Sequence, residues 1–246
     1  VAVGANCKRY NACMLAKYTA ETLQQQLSMI TEHGFCVIDN FIGPSAVSAL
    51  ANEILDLSLA SKMHDATTGR KQMPIKPIPG KPIPGKPMTG NNSTVHNQFR
   101  GDSIYWLEES AATPSQQQYF SQMEALRLGL NQQLYLGLYG LESHLALYPK
   151  GAGYKKHLDR FSTKPSLQPQ RQISCILYLN QDWQEEDGGK LRLYLHADIT
   201  DPLAITHLDI SPIGGRLVMF LSDSFYHEVL PTNKQRASLS GWFLSR

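Results

Sequence analysis

The sequence predicts a mainly β protein that begins with helices: a β-sandwich or jelly roll with the N-terminal helices packed on one sheet. Three observations point to it. Apolar residues recur at helical spacing in the N-terminal part, as Leu23, Leu27 and Ile30, and again as Val47, Leu50, Ile54 and Leu57. From residue 142 onward that period gives way to short apolar runs. Turn residues then separate those runs: Pro149-Lys150-Gly151, Asp187-Gly188-Gly189, Gly214-Gly215 and Pro231-Thr232-Asn233. Helices followed by many short strands bury their apolar faces best as a sandwich with a helical layer on one sheet.

Taken in order, Lys17 to about His33 reads as a helix, stopped at His33-Gly34. Phe35 to Ile38 is a short strand ending at Asp39-Asn40, and Phe41 to Ser45 turns into a second helix reaching about Lys62. Residues 66 to 98 change character. They carry KPIPG twice (76–80 and 81–85) and then KPMTG, and proline at this density forbids both a helix and a central strand. The stretch reads as a polyproline-like loop, either a tolerated insertion or a lid. Arg100 to Trp106 is a strand entry, and residues 115–138 form a third helix with Phe120, Leu126, Leu130 and Leu134. The strands expected after it are Leu145–Tyr148, Ile173–Leu179, Leu191–Leu195, Leu217–Leu221 and Ala237–Phe243.

With 246 residues, 42% of them apolar, the chain can bury one sizeable core but not two. A net charge of +2 gives no strong pull toward nucleic acid or a membrane surface, and no apolar run reaches the roughly 20 residues of a span. Val1 to Arg9 has no charged-then-apolar signal pattern. The four cysteines, Cys7, Cys13, Cys36 and Cys175, show no zinc spacing, which fits a reducing, intracellular setting.

The chemistry is carried by His157-Leu158-Asp159. In an extended chain residues i and i+2 share a face, so an imidazole and a carboxylate can approach one metal ion together. Alone, this is a weak signal. His227, after the polar turn Ser222-Asp223-Ser224, is the candidate third ligand. Two histidines and a carboxylate form the facial triad of non-haem iron, although zinc accepts the same ligands. Arg236 discriminates. The turn Pro231 to Gln235 folds the next strand back beside His227, and there Arg236, Ser238, Ser240 and Trp242 share one face. If that face lines the interior, a buried guanidinium needs an anionic partner, and a carboxylate suits its planar fork. A dicarboxylic keto acid meets both demands: one end chelates iron and the other pairs with Arg236.

These residues resemble the 2-oxoglutarate and iron(II) oxygenases, and more closely the prolyl hydroxylases that act on hypoxia-inducible factor. The matching runs are HGFCVIDNFIG (33–43), RGDSIYWLEE (100–109), YPKGAGYKKHLD (148–159), RQISCILYLNQDW (171–183), DGGKLRLY (187–194) and HEVLPTNKQRASLSGWF (227–243). The resemblance implies a double-stranded β-helix, with a single catalytic domain over 17–246 behind an extension at 1–16. It implies iron(II) on His157, Asp159 and His227, and 2-oxoglutarate and dioxygen as cosubstrates, with L-ascorbate as a helper. Arg236 and Tyr178 would hold the distal carboxylate. Tyr148 and Ser240 would orient the cosubstrate, and Ile176 and Leu191 would wall the pocket. Asp102, Arg171, Tyr154 and Trp242 would meet the substrate, a proline of hypoxia-inducible factor α. A monomer in cytoplasm and nucleus is the implied setting. Two departures are visible: Ser240 stands where the family often has Thr, and Arg160-Phe161 follows the HxD. The competing readings are hydroxylation of another protein, such as a collagen-like chain or a translation factor, or a catalytically silent binding module. The remaining histidines, His144 among them, show no partner pattern.

Overall fold

Strands expose alternate residues to opposite faces, so a strand whose two faces are both covered must be apolar on both or carry its polar groups to a purpose. The computed structural model describes residues 23–66, 99–160, 169–195 and 206–246. The extension at 1–16, the expected helix start at Lys17 and nearly all of the proline-rich stretch lie outside those residues.

Helix α1 (Leu23–His33) buries Leu27 and Ile30 and stops as expected. Gly34 takes φ +77°, the left-handed turn glycine permits, and its N–H bonds the Ile30 carbonyl at 2.9 Å. Strand β1 (Phe35–Ile38) leads to α2 (Pro44–Leu59), which ends three residues short of the expected Lys62. Helix α3 (Pro114–Leu134) starts in a capping box between Thr113 and Gln116. Both capping side chains also bond Glu53 on α2, each at 2.7 Å, which locks the two helices together. The helix ends before the expected residue 138. Tyr135 turns left-handed, and the Asn131 side chain captures both the N–H and the carbonyl of Leu138.

The remaining strands are β2 (His64–Asp65), β3 (Ser103–Trp106), β4 (Gly140–Tyr148), β5 (Tyr154–His157), β6 (Gln170–Tyr178), β7 (Leu191–Tyr194), β8 (His207–Ile210), β9 (Leu217–Leu221), β10 (His227–Val229) and β11 (Arg236–Ser245). They form two antiparallel sheets, a major one ordered β1-β9-β6-β11-β4-β3-β2 and a minor one ordered β5-β10-β7-β8. Along the chain, β4 to β11 visit the sheets as major, minor, major, minor, minor, major, minor, major. This is the winding of a double-stranded β-helix, with β1 to β3 widening the major sheet. The sequence pattern missed the two-residue β2 and, beyond it, β5, β8 and β10. The last three have only three or four residues each, too few for an alternation to stand out.

One face of the major sheet packs under the helices, where Leu145, Leu177, Met219, Leu239 and Phe243 meet Leu50, Met123 and Leu130 in the largest apolar cluster. The other face looks into the sandwich, where Tyr178, Val218 and Phe220 meet Leu191 and Leu193 of the minor sheet. β11 divides as its alternation predicts: Leu239 and Phe243 lie in the helix-side cluster, while Arg236, Ser238 and Trp242 are buried on the opposite face. Among the described residues, no helix is long and apolar enough to cross a membrane.

Candidate active site

The short minor-sheet strands place the histidines. His157 closes β5 and His227 opens β10, and the two are direct antiparallel partners. Asp159 follows β5 after one residue. The three side chains offer ligand atoms that all lie within 4.8 Å of one another. The Nε2 atoms of His157 and His227 lie 3.7 and 3.6 Å from the two Asp159 oxygens.

The rings are aimed through their other nitrogens. His157 Nδ1 bonds the Lys155 carbonyl at 2.8 Å and His227 Nδ1 bonds the Phe225 carbonyl at 3.1 Å. Each Nδ1–H donates to a carbonyl, which leaves each Nε2 lone pair facing the acid. Burial and the neighbouring His227 hold His157 down at about 4, so its ring is neutral at pH 7 and free to ligate. Burial pushes the Asp159 carboxyl up. His227 and His157 beside it, then Arg171 and the Ser174 hydroxyl, more than offset this and leave it at about 2. Ser174 Oγ donates to Asp159 at 2.6 Å and lies 2.9 Å from Ser222 Oγ, so the carboxylate is oriented from the major sheet. Ser174 carried no signal in the sequence. It shares the run ISCILY with core residues, and its partner is fifteen residues away.

Arg236 is 1% exposed. Its Nε donates to the Gly189 carbonyl at 2.9 Å, and its guanidinium carbon lies 5.0 Å from the Tyr148 ring centre and 5.1 Å from that of Tyr178. Among the described residues no carboxylate pairs with it. The Tyr178 hydroxyl is also buried without a partner among them. A fully buried cation and an orphaned hydroxyl side by side fit a carboxylate-bearing ligand, since each group otherwise carries an uncompensated desolvation cost. Leu191 and Ile176 belong to the apolar cluster around Tyr178, and Ser240 lies between His144 and Ile176 in the sheet. The donor set and the acid pocket thus fit iron(II) and 2-oxoglutarate.

The expected substrate residues fall into two groups, one beside His157 and one around Trp242. Tyr154 stacks on His157 with ring centres 3.7 Å apart. Asp102 is buried and grips Arg100 with two bonds, of 2.6 and 2.9 Å, while Arg100 covers the Tyr154 ring at 4.8 Å. Arg171 pairs with Glu142 at 2.6 Å and lies 3.6 Å over Trp242. Trp242 stacks on His144, which in turn touches Trp106. Arg160, one of the two departures, bonds Gln172 and pairs with Asp223.

Known proteins resemble the chain as follows. The family model described as the 2OG-Fe(II) oxygenase superfamily matches residues 143–244. The chain is similar to a solved prolyl-4-hydroxylase from Pseudomonas putida, with 34% identity, coverage of 92% of this chain and 100% of that one, and a TM-score of 0.71. It is 28% identical over 229 residues to Egl nine homolog 1 of Homo sapiens, covering 90% of this chain and 46% of that protein. It is 27% identical over 245 residues to the hypoxia-inducible factor prolyl hydroxylase of Caenorhabditis elegans, covering 94% of this chain and 29% of that one. The chain therefore spans less than half the length of these two relatives.

Proposed function

The chain belongs to the 2OG-Fe(II) oxygenase superfamily, and from that premise we propose that it is a protein prolyl 4-hydroxylase dependent on iron(II) and 2-oxoglutarate. The observation that carries the reading is the joint placement of a convergent His157–Asp159–His227 group and a buried Arg236 with no acidic partner among the described residues. Similarity over the whole of a prolyl-4-hydroxylase supports proline as the target.

Iron(II), when bound with 2-oxoglutarate and dioxygen, would supply the oxidising power for the hydroxylation, with succinate and carbon dioxide as co-products. The chain's own residues do the rest. His157, Asp159 and His227 would hold the metal. Arg236 and Tyr178 hold the distal carboxylate, Tyr148 and Ser240 orient the cosubstrate, and Ile176 and Leu191 keep its flank dry. Tyr154, Arg171 and Trp242 flank the target proline, and Asp102 holds the mouth through Arg100. L-ascorbate is the reductant that sustains turnover. The enzyme works as a monomer in cytoplasm and nucleus.

The substrate we favour is the degradation-domain proline of hypoxia-inducible factor α; the nematode relative is named for hypoxia-inducible factor. A prolyl target in another protein is the second reading. The higher identity to the bacterial prolyl-4-hydroxylase, which is named without a target, favours it. Incubation with iron(II), 2-oxoglutarate and each candidate peptide, followed by mass spectrometry, separates them. The expected result is one added oxygen on the hypoxia-inducible factor peptide that requires both iron and cosubstrate. Oxygen added only to a different prolyl peptide removes the favoured substrate. Absence of iron-dependent succinate release with any peptide removes the enzyme.

A further inference from the structure

His144 has a buried ring with no assigned task. It is 2% exposed and lies on the sandwich-facing side of β4, with Trp242 stacked at 5.3 Å and Trp106 tilted against it at 4.9 Å. Its Nε2 lies 3.4 Å from a terminal nitrogen of Arg100. An arginine nitrogen only donates, so Nε2 must accept, and in the neutral ring the hydrogen then sits on Nδ1. Burial, followed by Arg100 and Arg171, holds the ring well below the usual histidine range, which keeps it neutral. That Nδ1 is buried and meets no partner among the described residues. A buried N–H without an acceptor is costly, and a binding site is one place where such a cost is recovered.

Strand register says where this donor sits. Across β4, β11 and β6, Tyr148 pairs with Arg236, Ala146 with Ser238 and Tyr178, His144 with Ser240 and Ile176, and Glu142 with Trp242 and Ser174. Successive rows are about 6.6 Å apart. Arg236 occupies the acid end, and Ser174 holds Asp159 at the metal end. Two rows lie between them, and His144 stands in the one next to Ser174.

We propose that the His144 Nδ1–H is a binding donor at the metal end of the cosubstrate slot, satisfied by a carboxylate or keto oxygen of bound 2-oxoglutarate. This rests on the slot assignment above. His144 thus holds one end of the cosubstrate while Arg236 holds the other, and Arg100 fixes the tautomer that makes it a donor.

The test is calorimetry without oxygen, with Mn(II) in place of iron, on wild type, His144→Phe and His144→Asn. Phenylalanine keeps the ring stack and loses the donor; asparagine returns an N–H near the Nδ1 position. The expected result is about tenfold weaker 2-oxoglutarate binding in His144→Phe, mostly restored in His144→Asn. Butyrate keeps the distal carboxylate and has no oxygen at the keto-acid end, so its affinity should stay unchanged in both. Equal 2-oxoglutarate affinity in wild type and His144→Phe overturns the proposal, as does an equal loss for butyrate, which marks a collapsed slot. Weakened binding of a prolyl peptide alone assigns the donor to the peptide and also overturns it. Wild type that binds no 2-oxoglutarate sinks the earlier slot assignment instead. Nitrogen-15 NMR of the His144 ring in metal-free wild type decides the tautomer independently: hydrogen on Nδ1 is expected, and hydrogen on Nε2 overturns the inference even if His144→Phe fails to fold.

Discussion

The two sheets of the sandwich divide the work unequally. The major sheet is covered on both faces, by the helices on one side and by the site on the other, and supplies Arg236, Tyr148, Tyr178, Ile176 and Ser240. The minor sheet is short-stranded and supplies both histidines. Among the described residues, its outer side carries polar groups and no helical layer. Arg192 pairs with Asp209 at 2.8 Å, Tyr194 donates to Glu228 at 2.7 Å, and Lys156 lies 3.7 Å over the Tyr194 ring. Apolar packing is thus thickest under the proposed acid pocket, and the two histidines of the proposed metal site hang from the thinner wall. Asp159 is tied back to the thick wall through Ser174.

The contrast can be broken first at the thick wall. Phe243→Ala empties a fully buried position in the helix-side cluster and should cost about 3–5 kcal/mol in denaturant unfolding. A loss below about 1 kcal/mol would show that the helical layer does not anchor the fold. Next comes pH on the thin wall, in metal-free protein. His157 sits at about 4 in the fold against 6.5 in a free chain. Between these values the unfolded chain takes up a proton that the fold refuses. Its contribution is therefore complete above pH 6.5 and drains away as pH falls toward 4, by up to about 3 kcal/mol. His144, also depressed, adds in the same direction. Unfolding midpoints that stay flat from pH 7 to 4.5 would contradict both assignments. The tie between the walls is probed by Ser174→Ala, which should weaken iron binding about 10- to 100-fold with little change in unfolding; a metal titration reads it. The smallest effect is expected for Arg192→Ala on the minor sheet's outer side, at no more than about 1 kcal/mol, because the pair is partly solvated. A larger loss there would mean that the polar ladder acts as a second core.

Legibility in the sequence followed length and period. The ten residues of β11 alternate cleanly, so its two faces could be told apart from spacing, while the burial of Arg236 stayed conditional on which face turned inward. The HxD spacing likewise brought two metal-facing groups together before any fold was known. The strands β5, β8 and β10 were hidden because three or four residues with outward charges show no period. Ser174 and His144 were hidden for a different reason. Their meaning lies across strands, in Asp159 for one and in Arg100, Trp106 and Trp242 for the other, and spacing along the chain carries none of those contacts.

The Asp187-Gly188-Gly189 turn, at first only a break between strands, has a stereochemical consequence through its last carbonyl. Because Gly189 occupies the Nε of Arg236, the side-on edge of the fork is taken. An arriving acid is left with the two terminal nitrogens, approached head-on. A β-carbon at Gly189 would come to 3.0 Å from Arg236 Cδ, so this small residue sets the angle at which the cation is presented. Lysine at 236 could satisfy the carbonyl or the acid, but not both from opposite ends of one rigid plane.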